Sequence, residues 1–221
     1  RLVPPDKVPR AISIIMMGIS LATIFAAPLG AYLGELWGWQ ATFLAASGIG
    51  VVALVIQMLT LPKLPATAAP GLASFKAALT RRAVVVGICT GLLVISGHFA
   101  ALTFIRPFLE EVPRLDVATV SLALLAFGVS GFFGNLAGGA VAARSPAWAV
   151  SSCSFLIAAV ALTLILFGTQ ADVAFVAIAL WGFAFGAFPV SISIWNARAA
   201  ADHAESAGAL LSSTFQVAIA A

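Results

Sequence analysis

Charge is what this chain has least of. Of its 221 residues, 11 are Lys or Arg and 8 are Asp or Glu, 9% in all, while 62% are hydrophobic. A water-soluble domain carries about 25% charged residues because its surface must face water. So little charge excludes a soluble globule, and lipid is expected to be the solvent for much of the surface. Cysteine is equally scarce. Cys89 and Cys153 both fall inside apolar runs, with no CxxC spacing, so neither a disulfide framework nor a thiolate metal site is expected. The start lacks a charged n-region and a cleavage site. It opens Arg1-Leu2-Val3-Pro4-Pro5, which reads as the middle of a loop, and the chain is expected to be a piece of a longer protein.

What is present is a series of long runs free of Asp, Glu, Lys and Arg. They cover residues 11–34, 36–62, 83–105, 117–143, 145–171 and 173–197, with a final run at 206–221. A helix needs about 20 apolar residues to cross the hydrocarbon core. Each of the first six is long enough, and the seventh stops short at the end of the chain. The runs lack the two-residue alternation of a membrane barrel. The expected fold is therefore an all-α integral membrane bundle of six full transmembrane helices plus a truncated seventh.

Alternate loops between the runs hold nine of the eleven basic residues: Arg1, Lys7, Arg10, Lys63, Lys76, Arg81, Arg82, Arg144 and Arg198. The other side has only Arg106 and Arg114, beside Glu35, Glu110, Glu111, Asp116 and Asp172. By the positive-inside rule the first side is cytoplasmic. The net charge of +3 then reflects membrane topology, and no nucleic-acid partner is expected. The longest cytoplasmic loop, with Pro62, Pro65, Pro70 and Gly71 followed by the amphipathic stretch Leu72–Leu79, has the composition of a linker between bundles. Trp37, Trp39, Trp148 and Trp195 fall at the expected interfaces, whereas Trp181 lies well inside its run.

Small residues recur every fourth position in the first run, at Gly18, Ala22, Ala26, Gly30 and Gly34, with Pro28 set among them. That spacing lays a small-residue strip along one helix face for close packing, and the proline should bend it. The fourth run carries Gly128, Gly131, Gly134, Gly138 and Gly139, with Asn135 among them. Gly134 and Gly138 form a GxxxG pair. Gly128-Val129-Ser130-Gly131 matches a GxSG protease motif, but a serine protease needs a histidine beside the nucleophile. The only later histidine, His203, is placed in a cytoplasmic loop, so no enzyme is expected.

The stretch Ala27-Pro28-Leu29-Gly30-Ala31-Tyr32-Leu33-Gly34-Glu35 and the segment Gly38-Trp39-Gln40-Ala41-Thr42-Phe43 resemble the fifth helix and following loop of the major facilitator superfamily. The likeness is to its bacterial drug/proton antiporter branch, with Ala27 standing where the Gly-Pro antiporter motif has glycine. Gly97-His98-Phe99-Ala100-Ala101-Leu102-Thr103-Phe104-Ile105-Arg106-Pro107 resembles the seventh helix, most closely that of purine-ribonucleoside efflux pumps. The resemblance implies helices five to ten and part of eleven. Residues 1–62 would close an N-terminal half, 63–82 would be the cytoplasmic linker, and 83–221 would form a truncated C-terminal half. Arg144, after Gly139, keeps the arginine of a cytoplasmic gate motif but has Ala143 where an acid is common.

No Asp or Glu lies within a complete run, and His98 is the single titratable polar group inside an intact one. Ionisable groups in a membrane are costly and therefore functional candidates. His98 is the proton-coupling candidate, the alternative being a neutral imidazole bonded to a neighbouring helix. Substrate-cavity candidates are His98, Phe99, Thr103, Phe104, Asn135, Trp181, Ser191 and Gln216, with Ser193, Ser212 and Ser213 beside them. Asn135 is open between lining a path and bridging two helices.

The expectation is a proton-coupled exporter of a small organic solute, with purine nucleosides leading. Sugar or multidrug efflux is the alternative, and a non-transporting receptor or assembly subunit the rival from another class. No cofactor or metal is expected. The partners would be solute, proton and lipid bilayer, in a monomeric full-length protein of the bacterial inner membrane.

Overall fold

The structure, a computed structural model, describes residues 4, 7, 10–12, 14–15, 18, 22, 29–30, 33–34, 36–61 and 71–220. It resolves into two compact units, Arg1–Ser20 with Pro70–Ala221, and Leu21–Ala69. The described residues are helical almost throughout, with no strand among them.

In the smaller unit, α1 (Trp39–Thr60) follows Gly38, whose φ of 81° is open to glycine and strained for other residues. That residue breaks the chain between α1 and the described helical residues that precede it. Of the small-residue ladder, Gly30 and Gly34 face Thr42 of α1, and the Thr42 hydroxyl donates to the Gly30 carbonyl at 3.0 Å. Ala26 and Pro28, and with them the expected bend, lie outside the described residues, as does the proline cluster of the linker.

From Pro70 on, the larger unit continues with the short helix α2 (Leu72–Leu79), formed from the amphipathic stretch of the linker. Next come α3 (Arg82–Thr103) and α4 (Ile105–Glu111). The run at 83–105 is thus two helices, parted at Phe104. Pro107 lacks the N–H that would bond the Thr103 carbonyl, which weakens the helix at this break. Then follow α5 (Val117–Arg144), α6 (Pro146–Phe167), α7 (Ala171–Ala199) and α8 (Ala204–Ala220). Ser145 caps α6, its hydroxyl accepting from the Trp148 N–H, with Pro146 at the first helical position.

Five of these helices, α1, α3, α5, α6 and α7, are long and apolar enough to cross a membrane. They match five of the six full runs. The sixth, 11–34, falls largely outside the described residues, and α8 is the short seventh.

α7 is the axis of the larger unit. Its buried residues reach every neighbouring helix: Ile178 and Trp181 pack with Ile105, Val120 and Val160, while Phe188 and Ile192 pack with Ile95, Val150 and Leu211. Its approach to α5 is backbone on backbone. A Cβ added at Gly134 would sit 2.0 Å from the Phe183 carbonyl oxygen, one at Gly182 2.1 Å from that of Phe127, and one at Gly186 2.0 Å from that of Gly131. Only glycine fits such a seam. The Ser130 hydroxyl crosses it to the Ala179 carbonyl at 2.6 Å.

Candidate functional site

Helix α7 carries Trp181 and Phe185 four residues apart, so both rings leave the same face. That face meets α3 at His98 and Phe99 and α5 at Phe127, and the five rings make one cluster. The imidazole lies flat on Phe185, with centroids 3.2 Å apart and planes within 2°. It runs roughly parallel to Phe127 at 6.0 Å and meets Trp181 and Phe99 edge-on at 5.3 and 5.1 Å. His98 is 2% exposed and Trp181 5%. Within this apolar box, His98 Nδ1 and Trp181 Nε1 are buried with no hydrogen-bond partner among the described residues. A buried polar atom without a partner costs about 1–3 kcal/mol.

Three of the eight cavity candidates, His98, Phe99 and Trp181, therefore come together. The other five stand apart from the box. The Thr103 hydroxyl donates to the Phe99 carbonyl at 2.8 Å and is exposed. Phe104, at the α3–α4 break, is 68% exposed. Asn135 is buried in α5 beside the glycine seam. Ser191 is buried and bonds the Ala187 carbonyl of its own helix at 2.7 Å, and Ser193 bonds Pro189 in the same way at 2.6 Å. Gln216, with Ser212 and Ser213, is exposed on α8.

Sequence reasoning passed over Phe127 and Phe185. The four-residue step from Trp181 to Phe185 was a usable signal, whereas Phe127 joins only through the α5–α7 crossing. Ser130 of the protease-like motif spends its hydroxyl on helix packing. Among the described residues, no three His, Cys, Asp or Glu side chains come together to hold a metal. Two open grooves, of about 290 and 220 Å³, lie elsewhere. One is lined by Thr163, Asp172 and Leu180, the other by Thr90, Ser151 and Trp195, and neither reaches His98.

Comparison with known proteins bears on the helical fold. The family model described as Major Facilitator Superfamily matches residues 1–221. The chain belongs to that superfamily. It is 37% identical over 218 residues to the purine ribonucleoside efflux pump NepI of Salmonella paratyphi B, and equally to those of Salmonella enteritidis and Salmonella typhimurium. Each alignment covers 99% of this chain and 55% of the relative, so the chain spans about half the length of the curated relatives it matches. As a superfamily member with five helices long and apolar enough to cross a membrane, it is a multi-pass membrane protein.

Basic residues gather at one end of the larger unit. Arg198, near the end of α7, donates to the Ala143 carbonyl at the end of α5, at 2.7 Å. Trp195 Nε1 donates to the Ala83 carbonyl of α3 at 2.9 Å, and Asn196 Nδ2 to the Ala207 carbonyl of α8 at 2.6 Å. Arg81 reaches the Ala199 carbonyl and pairs with Asp202 at 2.5 Å. Arg144, the gate-loop candidate, is exposed and has no ion-pair partner among the described residues. At the opposite end Arg106 pairs with Glu110 at 2.8 Å in a solvated rim.

Proposed function

We propose that this chain forms the central and C-terminal helices of an alternating-access exporter of purine ribonucleosides driven by proton entry. The observation that carries the reading is the 37% identity, over 99% of the chain, to purine ribonucleoside efflux pumps. The aromatic box supports it, since stacked rings with ring nitrogens suit a nitrogen heterocycle. In this reading residues 63–82 link two halves that rock about a midplane site. His98, the one histidine buried in a spanning helix, is the proton-coupling group. The hydrogen bonds at the basic end let α3, α5, α7 and α8 move as one block. The full-length protein works as a monomer.

The test is efflux of preloaded radiolabelled inosine from cells lacking their own nucleoside exporters. The full-length protein should give efflux that an uncoupler abolishes, and His98→Ala should lose it at normal expression. Efflux at the empty-vector rate, with the protein present in the membrane, sinks the nucleoside assignment. Screening drugs and sugars in the same cells then separates a different exporter from a receptor or assembly subunit.

A further inference from the structure

We propose that Phe185, Trp181 and Phe127 form a slot for the purine base itself, and that the His98 imidazole fills this slot whenever no base is bound. The inference rests on the nucleoside-efflux reading and adds to it the residues that recognise the base. Three observations converge. First, the imidazole is stacked flat on Phe185 and roughly parallel to Phe127. A purine contains an imidazole ring, so the side chain occupies the position and plane that a bound base would take. Second, Trp181 Nε1, buried in the box, is a donor with no acceptor among the described residues. Base edges carry the acceptors that such a donor requires, and ribose offers no π face to the flanking rings. Third, Pro189 lies four residues after Phe185 within α7 and cannot supply the N–H that would hold the Phe185 carbonyl. The helix is thus loosened at the residue that must part from His98.

A base entering the slot must displace the imidazole. A site occupied by its own side chain binds more weakly, by the fraction of time the slot is open. His98 therefore has opposite effects on two measurements: removing it opens the slot for binding while removing the proton-coupling group from transport.

The experiment measures equilibrium binding of radiolabelled inosine to the purified full-length protein in detergent, with efflux measured in parallel. Unlabelled hypoxanthine should compete for the site and ribose should not. Trp181→Phe keeps the ring and removes the N–H, and should weaken binding about tenfold. Phe185→Leu should weaken it at least as much, and Phe185→Tyr should restore it. His98→Ala should bind inosine as tightly as wild type or several-fold more tightly, while efflux falls. Thermal melting of each variant establishes that it is folded, and the conservative Trp181→Phe keeps the test valid if Phe185→Leu is not. Wild-type efflux of inosine with unchanged affinity in Trp181→Phe and in folded Phe185→Leu, or competition by ribose, overturns the slot and leaves the efflux reading standing. Neither efflux nor binding in wild type removes the nucleoside reading and the slot together.

Discussion

α1 and α7 are equally apolar, yet half of the most apolar stretch of α7 is buried and none of that of α1 is. Hydropathy therefore identifies a helix that can enter a membrane without saying whether its faces meet lipid or protein. The two helices also differ in how small residues are spaced. Gly48 and Gly50 of α1 are two residues apart and point to different sides, and among the described residues a Cβ at either would meet nothing within 4 Å. Gly182 and Gly186 of α7 are four apart and share one face, which lies against the backbone of α5. One spacing yields a seam and the other does not.

The sharpest way to break this comparison is to put bulk into both helices. Gly134→Leu or Gly182→Leu would force a side chain into space held by a neighbouring carbonyl, and overpacking of this kind costs about 3 kcal/mol or more. The expected outcome is loss of folded protein, or a melting temperature far below wild type, in a fluorescent-fusion assay in detergent. Gly48→Leu and Gly50→Leu should melt with wild type. Equal damage in both helices would show that spacing does not decide the matter.

A smaller effect should separate the polar groups of the same two helices. The Asn196 amide, buried in α7, holds the Ala207 carbonyl of α8 at 2.6 Å. Asn196→Ala removes that cross-helix bond and should cost about 0.5–1.5 kcal/mol. The Thr60 hydroxyl of α1 bonds the Ile56 carbonyl of its own helix at 2.7 Å and is exposed. Thr60→Ala should leave the melting temperature unchanged. If both variants melt alike, Asn196 is not a tie between α7 and α8.

These contrasts also mark what could be read in advance. The spans were legible because apolar runs and charge-bearing loops are local: 173–197 became Ala171–Ala199 and 117–143 became Val117–Arg144. The break at Phe104 was less so, since a charge count passes over Pro107. The GxxxG pair Gly134 and Gly138 announced a close approach but not its partner, because Gly182 and Gly186 meet α5 only through tertiary packing. Candidates chosen for polarity alone, such as Ser191 and Ser193, turned out to bond their own helix, which satisfies a hydroxyl without a neighbour. His98 and Trp181 stood out by chemistry and depth, whereas Arg198 did not, since no motif surrounds it as one surrounds Arg144.

The smallest expected effect lies in the α7–α8 loop, where charge is solvated instead of buried. Asp202 titrates below its ordinary range, first through a backbone N–H and then through the charge of Arg81, with His203 beside it at 3.6 Å. A carboxylate whose folded-state value is depressed adds stability above its ordinary value of 3.8 and loses it as pH falls through the depressed one. Asp202→Asn should therefore melt slightly below wild type at neutral pH and low salt. The gap should shrink as the solution is acidified past that range, and shrink also at high salt, because exposed pairs are screened. Gly134→Leu, by contrast, should be damaging at every pH and salt concentration, since a steric clash has no charge to titrate. Melting curves of the two variants across a pH series test this directly. A gap for Asp202→Asn that persists in acid and high salt would mean that the loop is held by packing, and that the Arg81–Asp202 pair adds nothing to it.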